Sequence, residues 1–324
     1  MKKTLALILA LAMSIGLCAC GGETGGGGEA STGPASLSMA TGGTSGTYYG
    51  FSGVVANVLN EKLGDVLNIT VQSTGASGAN IDLIDTGANQ LAIVQNDVMY
   101  YAATATDMYE GKAPLESYSA VMSCYPEYVQ IIANKDITSI DQLKGKKVSV
   151  GDSGSGVEFN AQQILGAYDI IFEDIDKQNL SFQASADALK DGKIDAFFCT
   201  AGAPTVAITD LSTTTGIVLV EIDAEHLAAL QSNYGFYAAY TVPAGTYNGI
   251  DVDVTTVAVK ATFIVSNDLD EETVYQLTKA IYENKDEYSH EKASEMSNEY
   301  AVSSISVPFH PGAERYFKEV GAIS

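Results

Sequence analysis

The chain has 324 residues, 17 basic against 40 acidic side chains and a net charge of −23. That balance excludes nucleic acid and anionic lipid headgroups as partners. Arg315 is the only arginine, so a forked guanidinium clamp on an anion is in short supply; backbone N–H groups, hydroxyls or lysine must do that work.

The N-terminus carries Lys2 and Lys3 and then an apolar run, Leu5 to Leu17, of about 13 residues, where a bilayer span takes roughly 20. It ends in Leu17-Cys18-Ala19-Cys20, a bacterial lipobox pattern. Residues 1–19 are therefore expected to be a signal peptide and Cys20 the lipidated residue, with an ordinary secretory signal as the alternative. The Gly-rich stretch to Ser36 cannot bury a core; residues 20–36 read as a tether holding the body roughly 20–25 Å from its anchor. The remaining chain, from Leu37 onward, suits two lobes, expected as residues 37–134 with 255–324, and 135–254, with one chain crossing in Asp136–Leu143.

From Leu37, short apolar runs alternate with amphipathic helical patterns, which predicts a mixed α/β protein. Leu37–Thr41 reads as a strand, residues 42–47 (GGTSGT) as a turn, and Phe51, Val55, Leu59 and Leu63 share one helical face. The device recurs: strand Lys147–Gly151, turn Asp152–Gly156 and a helix whose Ser155 and Glu158 have capping-box spacing. A third copy runs through Asp195–Cys199, residues 200–203 and a helix opened by Pro204. Gly87 and Gly192 each suit the left-handed position that ends a helix. Val257–Val265 reads as a buried strand and Glu271–Lys292 as one long charged surface helix. The aromatic cluster Tyr234, Phe236, Tyr237 and Tyr240 reads as core and hinge packing.

Strand, small-residue turn and helix N-terminus together make an anion site, because first-turn N–H groups lack helical partners and the macrodipole is positive there. Nucleotide patterns are missing: there is no GxxxxGK[ST] and no GxGxxG, so no cofactor is expected. No metal-ligand spacing occurs, the three histidines are far apart, and no GxSxG elbow accompanies them; no enzyme is expected, a paired-carboxylate hydrolase being the remaining alternative. Cys124 and Cys199 fit either a disulfide or two buried thiols.

Several runs resemble the TAXI family of solute receptors for tripartite ATP-independent periplasmic (TRAP) transporters: residues 41–49 (TGGTSGTYY), 71–75 (VQSTG), 94–97 (VQND), 125–127 (YPE), 143–151 (LKGKKVSVG), 153–156 (SGSG), 200–204 (TAGAP), 242–247 (VPAGTY) and 310–314 (HPGAE). The resemblance covers about Leu37 to Gly321. It implies a two-lobed periplasmic binding protein fold of type II character, with a ligand in the interlobe cleft. It implies a monomeric, extracytoplasmic, membrane-anchored receptor that delivers glutamate, glutamine or a related small carboxylate to the membrane subunits of a TRAP transporter. An ABC importer or an extracellular sensor is the alternative. One departure is Ser45, where the family usually has glycine.

On this reading Gly43, Thr44, Ser45, Thr47 and Tyr48 hold the carboxylate, although Thr47 could merely cap its helix. Ser73 occupies the equivalent turn after the second strand. Gln95 and Asp97 follow the strand Leu91–Val94, and Asp97 could again be only a cap. Asp97 or Glu127 would suit an ammonium group, and Tyr125 could stack on the solute or pack in the hinge. Ser153, Ser155, Gly156, Thr200 and Gly202 would close from the other lobe.

Overall fold

Strand β1 (Ala35–Ala40) opens the described part of the chain, residues 34–324 of a computed structural model. The lipobox, Cys20 and most of the expected tether lie outside the described residues; β1 begins two residues before the expected Leu37. Each early strand leads into a helix: β1 into α1 (Thr47–Leu63), β2 (Leu67–Gln72) into α2 (Ser77–Asp85), and β3 (Leu91–Gln95) into α3 (Asn96–Thr104). The long β4 (Tyr118–Ala133) follows. β5 (Lys147–Ser149) then leads into α4 (Gly156–Ala167), β6 (Asp176–Gln178) into α5 (Phe182–Lys190), and β7 (Ala196–Ala201) into α6 (Val206–Thr214). After β8 (Val218–Leu219), α7 (Ala224–Asn233) and β9 (Ala238–Val242), the chain returns through β10 (Val254–Ser266) to α8 (Glu271–Glu283), α9 (Asn298–Val302) and α10 (Pro311–Glu319).

The strands form one hydrogen-bonded path, β2-β1-β3-β10-β4-β7-β5-β6, with β8 on β4 and β9 on β10. β1 runs parallel to β2 and β3, and β5 parallel to β6 and β7, whereas β4 and β10 are antiparallel to their neighbours. β4 pairs with β10 up to Tyr128 and with β7 from Tyr128 onward; β10 pairs with β9 up to Ala258 and with β4 beyond it. The change of neighbours thus falls inside two long strands, at Tyr128 of β4 and Ala258 of β10. Val129, Ile131 and Ala133 pack in the same apolar cluster as Val148, Ile164 and Phe198, which places this end of β4 with the second half of the fold.

The core follows the two-residue period of the strands. On β3, Leu91 and Ile93 face a cluster with Phe51, Leu59, Phe263, Leu277 and Phe317, while Ala92 and Val94 face one with Ile81, Val98 and Met99. Both faces are helix-covered, so β3 is buried throughout and reads as a continuous apolar run. The second half repeats this on β7: Ala196 and Phe198 pack toward α4 and α7, and Phe197 and Cys199 toward α5 and α6. This is the expected α/β fold, and its two packed ends share the long strands β4 and β10.

Other expectations meet the structure locally. Gly87 and Gly192 have φ of +72° and +67°, the left-handed helix-ending conformation. The Glu271–Lys292 helix stops at Glu283, and Lys292 sits in a separate short turn with 3% exposure, so a charge run taken for a solvated face carries a buried cation. Pro204 does not open a helix: its peptide with Ala203 is cis, and α6 starts at Val206 with Thr205 at the cap. Cys124 and Cys199 are free, buried thiols. Among the described residues no helix is long and apolar enough to cross a membrane.

Candidate functional site

Four helices aim their N-termini at one cleft. Its lining includes Gly46 and Thr47 at the start of α1, Ala76 and Ser77 at α2, Ser155 and Gly156 at α4, and Ser181 and Phe182 at α5. The sequence puts them there because each helix follows the carboxyl end of a parallel strand through a turn of small residues. The α1 and α2 caps, Gly46 and Ala76, make no side-chain cap hydrogen bond, which leaves first-turn donors available. Ser155 and Ser181 cap their own helices, accepting from the N–H of Glu158 and of Ala184. Glu158 returns the bond one residue early, accepting from the Gly154 N–H at 2.7 Å, so the expected capping box forms in a shifted version.

The two ends of the fold meet tightly here. The Thr47 hydroxyl donates to the Gly202 carbonyl at 3.1 Å, and the Ala207 N–H donates to the Ser45 carbonyl at 3.4 Å. A Cβ on Gly78 would lie 2.3 Å from the Gly154 carbonyl oxygen, and one on Gly156 would lie 1.6 Å from the Gln95 amide oxygen. The cleft holds about 520 Å³ of non-atom space including its mouth, but only about 40 Å³ admits the centres of water-sized molecules. That is room for about three waters. The conformation is closed.

Beneath the cleft Asn160 of α4 ties both ends together. Its amide nitrogen donates to the Asp97 carboxylate and to the Tyr237 hydroxyl, and its oxygen accepts from the Gln95 amide and the Thr200 hydroxyl, each at 3.0 Å. The Gln95 amide oxygen itself is buried without a partner and lines the cleft. Glu127 also lines it, accepting from the Tyr48 hydroxyl at 2.6 Å. Burial, then the nearby Asp97 charge, holds the Glu127 carboxyl well above the ordinary carboxylate range, against the opposing Tyr48 hydrogen bond. Burial likewise pushes Asp97 up to about 6, against bonds from the Val98 N–H and Asn160.

Of the residues singled out from sequence, Gly43, Thr47, Tyr48, Gln95, Glu127, Ser155, Gly156 and Thr200 line the cleft. Thr44 and Ser153 are exposed in their turns, and Ser45 contributes its carbonyl to the contact with Ala207. Ser73 is exposed and its hydroxyl donates to the Gly42 carbonyl at 2.9 Å, bracing the first turn from outside. Asp97 and Gly202 sit just behind the lining, as acceptors for Asn160 and Thr47. Tyr125 is core: it meets the Phe51 ring edge-on at 5.1 Å and has no exposure. Arg315 pairs with Glu271 and Glu272 over the Tyr275 ring and does not line the cleft.

Sequence reasoning missed Asn160, Ser77, Ser181 and Phe182, whereas Tyr237, read as packing, is in the core and also accepts from Asn160. A signal existed for two of them. Ser181 immediately precedes a helical pattern, and Asn160 lies one turn from Val157 and Ile164 on an otherwise apolar stripe. The lining contains no histidine, cysteine, lysine or arginine, and among the described residues no group of three metal-ligating side chains is assembled. Serine and threonine hydroxyls therefore face the cleft with the Glu127 and Asp152 carboxylates but with no histidine or lysine. Donors and two acids remain, an arrangement for holding a solute.

The fold is shared with solved structures. The alkanesulfonate-binding protein SsuA of Xanthomonas axonopodis pv. citri, solved with bound MOPS, is 16% identical with a TM-score of 0.52, over 88% of this chain and 84% of that one. A protein of Bordetella bronchiseptica RB50 is also 16% identical, with a TM-score of 0.55, over 89% of this chain and 81% of that one. The NMT1-like family matches residues 39–321, which takes in all four helix N-termini that line the cleft. The chain belongs to the NMT1-like family.

Proposed function

We propose that this chain is an extracytoplasmic solute-binding protein that captures a small carboxylate in the cleft and passes it to a membrane transporter. The observation that carries the reading is the convergence of four helix N-termini, two without side-chain caps, on a cleft free of cationic side chains. Charge-assisted bonds from such donors are worth roughly 1.5–3 kcal/mol each, so three or four offset the cost of desolvating a carboxylate. Glutamate, glutamine and related acids are the proposed cargo. An ammonium group on the cargo would face Glu127, whose single side-chain partner is Tyr48.

The cleft is too small in this state for such a ligand, so the two ends part to admit it. The bending points proposed are Tyr128 on β4 and Ala258 on β10, where each strand changes neighbours. The lobes are then residues 34–128 with 259–324, and 129–258. Binding without turnover is the reading supported by a lining whose hydroxyls meet no histidine or lysine.

Two transporters are open to such a receptor. Membership of the NMT1-like family and the likeness of fold to an alkanesulfonate-binding protein support an ABC-type importer. The sequence runs resembling TAXI receptors support a TRAP transporter. The neighbouring genes decide: an ATPase subunit supports the first and a multi-spanning fused permease the second. Anchoring through Cys20 is part of the proposal, and Cys20→Ser should move the protein from the membrane to the soluble fraction. Equal membrane association of parent and variant would remove the anchor from the account. The binding reading itself is tested by calorimetry with glutamate, glutamine and 2-oxoglutarate; silence with all three would refute this cargo class.

A further inference from the structure

A second cavity lies away from the cleft, between the C-terminal end of α3 and the loop that precedes β9. It holds about 870 Å³ of open space including its mouth, and its lining includes Tyr100, Tyr101, Tyr234 and Phe236 together with Asp107, Thr106 and Asn233. The rings meet at steep angles: Tyr100 and Phe236 at 5.2 Å and 49°, Tyr101 and Phe236 at 5.8 Å and 80°. They form a corner and not a closed stack.

Asp107 is held in this corner by a turn of unusual geometry. Ala105 and Asp107 both have positive φ, 54° and 50°, in a region that side-chain-bearing residues rarely occupy. One carboxylate oxygen accepts from the Gln163 amide at 3.0 Å, and among the described residues no lysine, arginine or histidine forms an ion pair with Asp107. The charges acting on this region are all acidic: Asp107 on Tyr101 and Tyr234, Asp97 on Tyr101, and Glu110 on Asp107. Aromatic faces around an uncompensated carboxylate attract a cation through the ring quadrupole and the charge together.

We propose that this cavity binds a small organic cation of the alkylammonium or quaternary ammonium class. The site is separate from the carboxylate cleft, and only its coupling to closure rests on the reading of that cleft. A quaternary ammonium head suits it better than a metal ion, because the rings supply faces and only one carboxylate supplies an oxygen anion. Several ring contacts with the carboxylate added give an affinity of about a millimolar. The cavity draws Tyr100, Tyr101 and Asp107 from one end of the fold and Tyr234 and Phe236 from the other. Its walls therefore come together only when the cleft is closed, and the measurement is made with and without excess glutamate.

The probe is choline chloride, followed by calorimetry and by the upfield shift of its methyl protons over aromatic rings, in the full-length protein. Its neutral isostere, in which a tert-butyl group replaces the trimethylammonium, is the control. Choline should bind at about millimolar concentration and the isostere at least tenfold more weakly. Asp107→Asn should weaken choline by about tenfold and Tyr234→Leu by about two- to fivefold. Both positions have solvent access, so the variants are expected to keep the parent's unfolding midpoint. No methyl shift in either condition, equal binding of the isostere, or unchanged binding in both variants would overturn the proposal. Glutamate titrated into Asp107→Asn is a separate readout of the cleft, and its outcome leaves the cation site to be judged on choline alone.

Discussion

The Gln95 side chain from one end of the molecule lies directly over Gly156 from the other, so close that a Cβ at position 156 would sit 1.6 Å from the Gln95 amide oxygen. Val98 leaves that Cβ only 2.9 Å as well. Glycine is thus required at the first residue of α4 by the approach of the other lobe, and by nothing within α4 itself.

Gly156→Ala should accordingly block closure while sparing the open form. Solute affinity is expected to fall by about a hundredfold, equivalent to roughly 2.7 kcal/mol. The unfolding midpoint should hold or rise slightly, since alanine favours a helix. Small-angle scattering with excess solute should keep the ligand-free radius. Parent-like affinity would mean that closure does not use this contact.

Asp97 gives a pH dependence with a definite sign. Its folded pKa is about 6, whereas the unfolded carboxyl titrates near about 4. Between those values the folded chain keeps a proton that the unfolded chain has lost. The Asp97 contribution to stability therefore decreases as pH rises from about 4 to 6 and is flat above. The stability difference between parent and Asp97→Asn should shift against the parent by roughly 2–3 kcal/mol over that window, read from urea unfolding at each pH. A pH-independent difference would show that Asp97 titrates at its ordinary value.

Lys292 donates to the Ala203 carbonyl at 2.6 Å and pairs with Glu295 at 2.8 Å, while the second Glu295 oxygen is buried without a partner. Lys292→Met strands that carboxylate and should cost about 2 kcal/mol, less than a fully buried pair because Glu295 keeps 30% side-chain exposure. The double variant Lys292→Met with Glu295→Leu should recover part of the loss. A double variant as unstable as the two single losses added together would indicate independent roles.

Much of this arrangement was legible in the sequence because local rules and tertiary structure agree there. The β1–α1 and β5–α4 units follow from apolar periodicity and small-residue turns, and Ser155 with Glu158 marks a helix start that the fold keeps. What was not legible depends on partners distant in sequence. Asn160 looks like a polar residue within a helix until Gln95, Asp97, Thr200 and Tyr237 surround it. Lys292 looks like one charge in a solvated run until the turn at Gly202 and Ala203 covers it. Tyr125 lies two residues from Glu127 on the same face of β4, yet the Phe51 ring packs edge-on against it and leaves it no exposure.

The most direct test of the carboxylate site adds a negative charge without disturbing a cap. Ser181 caps α5 and lines the cleft, and aspartate caps a helix as well as serine does. Calorimetry of the parent, Ser181→Asp and Arg315→Ala with glutamate, glutamine and 2-oxoglutarate is the measurement. At least one acid should bind the parent one to one, at least tenfold more weakly to Ser181→Asp, and unchanged to Arg315→Ala. Equal binding to Ser181→Asp, or loss on Arg315→Ala without unfolding, would contradict a carboxylate held at these helix N-termini.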